Sequence, residues 1–410
     1  MGGVEPGLPL EPLATSYVDA KSSTLEASEP AADEYLLAGG GLQNSLIALA
    51  LLEQRPDTRL LLIEREPQLG GNHTWCFHTG DVPAQARPWM DRLVVKRWAC
   101  HDVCFPRHRR RLQQEYSAVT SARLHEVVSE RVRRAPHARL LRASVRATEP
   151  GGVTLEDGTR RRGQLVIDAR GPTRHPATPA RAVQKFLGLE LQVAPGGVPE
   201  FPVLMDATVE QIDGFRFVYL LPWATDRVLL EDTYYSTSAE LDRSSIARRI
   251  LDYAEQRGMV VQRVLREESG VLPLPLRPEL PSATRGLILA GYAGGLFHPT
   301  TGYSLPVAVR FALHIASRPA RAALDTGYAD WIAGHRRQVR YAVWLNRLLF
   351  EAFAPEHRRH VLERFYRLPP ATIRRFYALE TTPLDRARIL CGKPPTGFSL
   401  SRLLAGGHPA

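Results

Sequence analysis

The chain has 410 residues, 44% of them hydrophobic and 23% charged, so it can bury a large core and falls outside the disordered and fibrous classes. The net charge of +10 is carried by arginine, since Lys21, Lys96, Lys185 and Lys393 are the only lysines; the candidate partners are nucleic acid, an anionic membrane surface or an anionic cofactor, and an arginine-rich base composition is the plainer explanation. No apolar run reaches bilayer-spanning length and the N-terminus lacks a basic region followed by an apolar one, so a cytoplasmic protein, at most attached to a membrane surface, is expected.

Residues 1–32 are rich in Pro, Gly, Ser, Ala and acids without periodicity, which predicts a disordered extension. From Tyr35 a short apolar run ends in Gly39-Gly40-Gly41, Leu42 to Leu52 reads as a helix, and Arg59 to Glu64 reads as a second buried strand. Further buried strands are predicted at Gln164–Asp168 and Gly286–Ala290, their unbroken apolar character suiting a parallel sheet covered on both faces. Between them, Phe215–Leu220 and Arg227–Asp232 predict a hairpin in a separate antiparallel sheet, followed by a helix over 240–257. Beyond Gly302 the pattern is helical, with Tyr328–Phe353, Pro355–Leu368 and Ala371–Leu379 interleaving arginines with aromatic residues.

Gly39-Gly40-Gly41-Leu42-Gln43-Asn44 is a variant of the dinucleotide fingerprint, with Asn44 in place of the third glycine. Glycines let the backbone approach a pyrophosphate at a helix N-terminus, and Glu64 at the end of the next strand would bind an unphosphorylated adenosine ribose, so FAD or NAD rather than NADP. Two later stretches, Gly70-Gly71-Asn72 and Gly291 to Gly295, favour FAD, because one chain wrapped around a long flavin nucleotide needs a late glycine turn that an NAD fold does not. Cys100 and Cys104, near His101 and His108, lack the second ligand pair of a zinc site, so no metal is expected. No zinc finger, helix-turn-helix or RNA-binding signature supports nucleic acid.

Gly71 to His78, Asp168-Ala169-Arg170-Gly171, Gln184 to Gly188, Leu204-Met205-Asp206-Ala207, Gly214 to Pro222, Leu230 to Ser236, His298 to Pro306, Phe365 to Pro369 and Gly392 to Pro395 together resemble the bacterial lycopene β-cyclase family, in order over about residues 33–396. Departures are Gln43 inside the glycine turn, Cys76 in place of a serine, and Tyr292 where many related flavoproteins carry an aspartate.

The resemblance implies an α/β fold: a Rossmann-type FAD-binding parallel sheet built from 33–175 and 275–330, an antiparallel substrate-binding sheet over 176–274, and a helical region over 331–400 with membrane contact. It implies non-redox cyclisation of the ψ-ends of lycopene, through γ-carotene to β-carotene, with FAD required in its reduced form. The cofactor residues that follow are Gly39, Gly41, Asn44, Glu64, Gly70, Gly71, Asn72, Asp168, Gly291, Gly294, Gly295, Thr301 and Gly302, with the Thr301-Gly302 backbone donating to the flavin or its ribityl chain.

Cyclisation needs a proton delivered to carbon, hence a carboxylic acid kept neutral in an apolar pocket. Side chains alternate along a strand, so Glu231 and Asp232 should face opposite ways, with Tyr234, Tyr235 and Trp223 near Glu231. From spacing alone a solvated acidic pair is the better reading; the resemblance points to Glu231 as the general acid, with Asp206, Asp232 and His298 as candidate support. Other linear carotenoids with ψ-ends, further carotenoid-pathway enzymes and the inner face of the cell membrane are the partners implied, with Arg336, Arg337, Arg340, Arg358, Arg359, Arg374 and Arg375 as the membrane-facing cations. The alternative within the same fold is a flavin-dependent oxidoreductase or hydroxylase of an isoprenoid lipid.

Overall fold

The structure is a computed structural model that describes residues 33–171, 182–278 and 283–404. The expected extension at 1–32 lies outside the described residues.

The first sheet is parallel at its centre. Ala138–Arg142, Leu60–Glu64, Asp33–Ala38, Arg160–Asp168 and Leu287–Leu289 lie side by side, each pair parallel, with the hairpin Val145–Glu149 and Gly152–Leu155 beside the start of Arg160–Asp168. The helix Leu42–Gln54 follows the first strand; it is apolar all round from Leu46 to Leu52 and buried from Leu42 to Leu52, because Ser121–Arg134 and Leu305–Ala316 pack against it. All four predicted strands of this sheet are present.

The second sheet has seven strands in the order Val261–Pro273, Val183–Val193, Arg227–Ser236, Phe215–Ala224, Val203–Asp206, His101–Phe105, His108–Leu112. The predicted hairpin sits at its centre and is longer than expected. Its last two strands come from 101–112, so the boundary expected at 175/176 does not separate the sheets. A three-stranded sheet, in the order Thr74–His78, Tyr116–Thr120, Lys96–Trp98, brackets the strands at 101–112 in sequence.

Period-two alternation gives the second sheet two different faces. Phe215, Phe217, Leu221, Leu229 and Tyr235 join a cluster with Leu349, Phe350, Tyr366 and Ile373 of the C-terminal helices. Val218, Leu220, Val228, Leu230 and Tyr234 face the helix Arg243–Gln256 through Ile246, Ile250 and Tyr253. The long C-terminal helix runs Thr326–Arg347 and ends in a π-turn, Leu348–Ala352.

Candidate active site

A single cavity of about 1880 Å³ runs from the C-terminal ends of the parallel strands to the apolar face of the second sheet. At one end it is lined by Gly39, Gly41, Glu64, Gly70, Gly71, Asp168, Gly291, Gly295, Thr301 and Gly302. The sequence-predicted glycine turns therefore converge, although some 260 residues separate the first from the last.

This end fits a dinucleotide. Gly39 adopts φ of +90°, and a Cβ there would lie 2.9 Å from the Arg170 Cα, so the turn can pack against its neighbour only as glycine. A Cβ at Gly41 would meet nothing within 4 Å: that position opens into the cavity. No side chain caps the helix that starts at Leu42 and its first turn carries no acid, which leaves its N–H groups for an anion. Glu64 accepts the Gly40 N–H at 2.6 Å and so stands beside the same turn. Asp168 lines the cavity and braces the next loop through Arg170 (2.9 and 2.7 Å) and Thr148 (2.8 Å). Burial alone would raise its carboxyl, but these hydrogen bonds outweigh burial and hold it below its ordinary value.

Four expectations for this end are corrected. Asn44 is fully buried behind the turn and donates to the carbonyls of Ala38, Gly39 and Ile167, so it shapes the turn from outside the cavity lining. Asn72 turns away to the Glu267 carbonyl and to Arg266. Gly294 is required by backbone crowding, since a Cβ would sit 2.2 Å from the Leu289 carbonyl oxygen, and it too is outside the lining. The N–H groups of Thr301 and Gly302 both donate to the His298 carbonyl, so they serve the turn rather than a ligand. Tyr292, in place of the acid, stacks on Phe297 at 4.2 Å and donates to the Gly302 carbonyl.

The other end is lined by Trp75, Cys76, Tyr116, Phe217, Tyr219, Tyr235, Leu272, Tyr303 and Tyr377 around one acid of the central strand, Glu231. Glu231 accepts the Thr233 hydroxyl at 2.7 Å. Burial, then the neighbouring Glu268 and Asp232, push its carboxyl up from 4.5 to about 8 against that hydrogen bond. The tyrosines are linked: Tyr116 and Tyr219 share a hydrogen bond of 2.8 Å, and Tyr303 donates to Tyr116 at 3.2 Å. Burial raises these three phenols well above their usual range, so they remain neutral donors.

Asp232 faces the opposite side, as alternation requires. It is fully buried and accepts both Arg216 nitrogens (2.8 and 3.0 Å) and the Tyr234 hydroxyl (2.6 Å). Tyr234 therefore belongs with Asp232, not Glu231, and Trp223 packs on Trp98 outside the lining. Asp206 is also sealed on the helix side, against Tyr253, Arg257 and Thr208. His298 is buried outside the cavity lining, packed on Phe376, with Nδ1 accepting the Thr300 N–H; burial drives its pKa down to about 3, so it is neutral. Neither Asp206 nor His298 reaches the space Glu231 faces.

Reading the sequence missed Tyr219 and Tyr116. Tyr219 pairs directly with Glu231 across the hairpin, a position that follows once the hairpin register is known. Tyr116 lies on a strand that was not predicted.

A family model described as "Lycopene cyclase protein" matches residues 35–403. The chain belongs to the lycopene cyclase family. It is 41% identical to the "Lycopene beta-cyclase" of Pantoea ananas over 88% of this chain and 95% of that one, and 39% identical to that of Pseudescherichia vulneris over 88% and 94%. Among solved structures, a probable FAD-dependent monooxygenase from Pseudomonas aeruginosa superposes with a TM-score of 0.56 at 16% identity, over 78% of this chain and 96% of that one. Family and fold therefore agree: an α/β enzyme scaffold carries this site.

Proposed function

We propose that the chain closes the ψ-ends of lycopene into β-ionone rings, giving γ-carotene and then β-carotene, with Glu231 as the general acid. The observation that carries this reading is one carboxyl, raised to about 8, in an apolar and tyrosine-lined chamber continuous with a dinucleotide cradle.

The protonated Glu231 adds its proton to the terminal double bond, leaving a tertiary carbocation. The neighbouring double bond attacks it, a ring carbon–carbon bond forms, and the ring cation loses a proton that restores the Glu231 carboxyl; substrate and product are isomers. Trp75, Phe217, Tyr219 and Tyr235 present aromatic surface to the cation and exclude water that would trap it. Gly39, Gly41, Glu64, Gly70, Gly71, Gly291 and Gly295 would hold FAD. When bound in its reduced form, it supplies negative charge close to the cation.

Lycopene is insoluble in water, and no helix among the described residues is long and apolar enough to cross a membrane. We place the membrane contact at the C-terminal region, supported by exposed Trp344, Leu384, Leu390, Phe398, Leu400 and Leu404. Arg336, Arg337, Arg340 and the half-buried Arg359 remain candidates. Arg358 is buried against Phe350, while Arg374 and Arg375 are tied to Asp81 and Asp385.

Expression in a lycopene-accumulating host should give γ- and β-carotene. Glu231→Gln should lower turnover by at least about 10²–10⁴-fold while flavin content is kept. A product differing from lycopene by two hydrogens or by oxygen overturns the reading in favour of an oxidoreductase.

A further inference from the structure

The sheet register brings a second acid to Glu231. Glu231 pairs with Gly188, and Gly188 pairs on its other side with Glu268, so the three stand in one row across three strands. Directly opposed residues share a face of the sheet, and the residue between the two acids has no side chain. Glu268 uses that gap: a Cβ at Gly188 would lie 3.0 Å from the Glu268 Cγ and 3.4 Å from its Oε1. The Glu268 carboxyl therefore lies across Gly188, on the side towards Glu231.

Glu268 is only 3% exposed, and its two oxygens differ. Oε2 accepts Arg266 Nη1 at 2.6 Å and the Thr74 hydroxyl at 3.1 Å, while Oε1 is the atom over Gly188. Arg266 is itself spread over Glu190, Asn72 and Thr74. Asn72 lies in the loop that follows Gly70-Gly71 and Thr74 opens the strand after it, so the clamp on Glu268 ties the second sheet to the nucleotide end of the cavity.

We propose that Glu268 is a positioning residue: anchored as a carboxylate by Arg266 and Thr74, it lies across Gly188 and keeps the Glu231 carboxyl in its protonated, proton-donating form. The inference rests on Glu231 being the general acid. Two carboxyls in one dry site cannot both ionise cheaply, and the one beside an arginine takes the charge. Glu268 is the first charged neighbour opposing Glu231 ionisation, after burial itself. Burial leaves Glu268 above its ordinary value, but Arg266 and Thr74 hold that rise back, whereas Glu231 has only Thr233 against it.

The other groups around Glu231 do not compete for this role. Asp232 on the same strand points to the other face and is bound to Arg216. Tyr219, from the strand on one side, and Tyr116 and Tyr303 beyond it are neutral. Cys76, from the strand Thr74–His78, is a thiol pushed up to about 12, first by burial. On the strand Val183–Val193, Lys185 is tied to Asp213 and Glu190 to Arg227 and Arg266.

The test is the pH dependence of lycopene cyclisation by flavin-reduced enzyme supplied with lycopene in phospholipid vesicles. Glu268→Gln keeps the side-chain size and removes the charge. The high-pH limb of the rate should move down by about one unit or more, which is roughly a tenfold loss at a pH above both limbs. Glu267→Gln, next in sequence but on the opposite face and paired with Arg243, should leave the limb in place. Gly188→Ala provides a second route, because its methyl must displace Glu268; the limb should move the same way by less.

Infrared difference spectra report the proton without turnover. The carbonyl band of a protonated carboxyl, absent in Glu231→Gln, should be present in the parent at neutral pH and weakened in Glu268→Gln. If the limb and the band stay as in the parent in both Glu268→Gln and Gly188→Ala, Glu268 has no such role. If Glu231→Gln itself turns over normally, the failure lies with the assignment of the acid.

Discussion

Glu231 and Asp232 are neighbours in sequence, yet one opens into the cavity and the other is locked to Arg216, and the two should respond oppositely to substitution. Asp232→Asn breaks a buried ion pair from one side and should cost about 3–5 kcal/mol, read as a lower midpoint in chemical denaturation. Glu231→Gln should do the reverse. Its folded value of about 8 exceeds the ordinary 4.5, so the fold favours the protonated acid. Stability is fully present below about 4.5 and is lost as pH rises towards about 8, where the unfolded chain ionises freely and the folded chain does not. The glutamine variant, without flavin, should therefore melt higher than the parent at pH 8, with the difference closing towards pH 4.5. A gap that does not depend on pH would contradict the raised value.

Alternation along one strand was enough to separate these two acids from sequence. Asp206 could not be placed that way, because its short strand is irregular and pairs with both Phe215–Ala224 and the distant His101–Phe105. His298 could not be placed from sequence for a related reason: nothing local tells a histidine beside a ligand loop from one packed beneath it on Phe376.

Among the elements, strand, glycine turn, helix and strand at 35–64 were legible because periodicity, glycine chemistry and a closing acid agree. The strands His101–Phe105 and His108–Leu112 were not. His101–Phe105 gains its parallel neighbour, Val203–Asp206, from about a hundred residues later, and the arginine-rich His108–Leu112 is a strand only by pairing back onto it. Tertiary pairing there overrides local preference.

The glycine turn offers an element-scale prediction. Gly39 and Gly41 look equivalent in sequence but differ in surroundings. Gly39→Ala places a side chain at positive φ against the Arg170 backbone and should destabilise the apoprotein. The Cβ of Gly41→Val would meet no protein atom within 4 Å, so the apoprotein should fold with a near-normal melting temperature and purify without flavin. A full complement of flavin in Gly41→Val would show that this turn does not face the pyrophosphate.

For the whole molecule, surface attachment should be electrostatic as well as apolar. Basic residues near an anionic bilayer contribute on the order of 1 kcal/mol each. Replacing Arg336, Arg337 and Arg340 together by glutamine should weaken co-sedimentation with anionic vesicles and flatten its salt dependence without unfolding the protein. Binding indifferent to both lipid charge and salt would remove the electrostatic part of this picture.

The strand Leu287–Leu289 joins the parallel sheet only after the chain has left it, built most of the second sheet and returned. During synthesis, a nascent chain that has emerged only as far as Pro273 already carries Gly39, Gly41 and Glu64 but still lacks Gly291 and Gly295, the far jaw of the nucleotide cradle. Cofactor capture should therefore come late in translation, after every strand of the second sheet has been made. Ribosome-stalled chains should resist protease in a flavin-dependent manner only once residues beyond about 305 have cleared the exit tunnel, so the cell is spared a half-made protein that holds flavin without a chamber for the polyene.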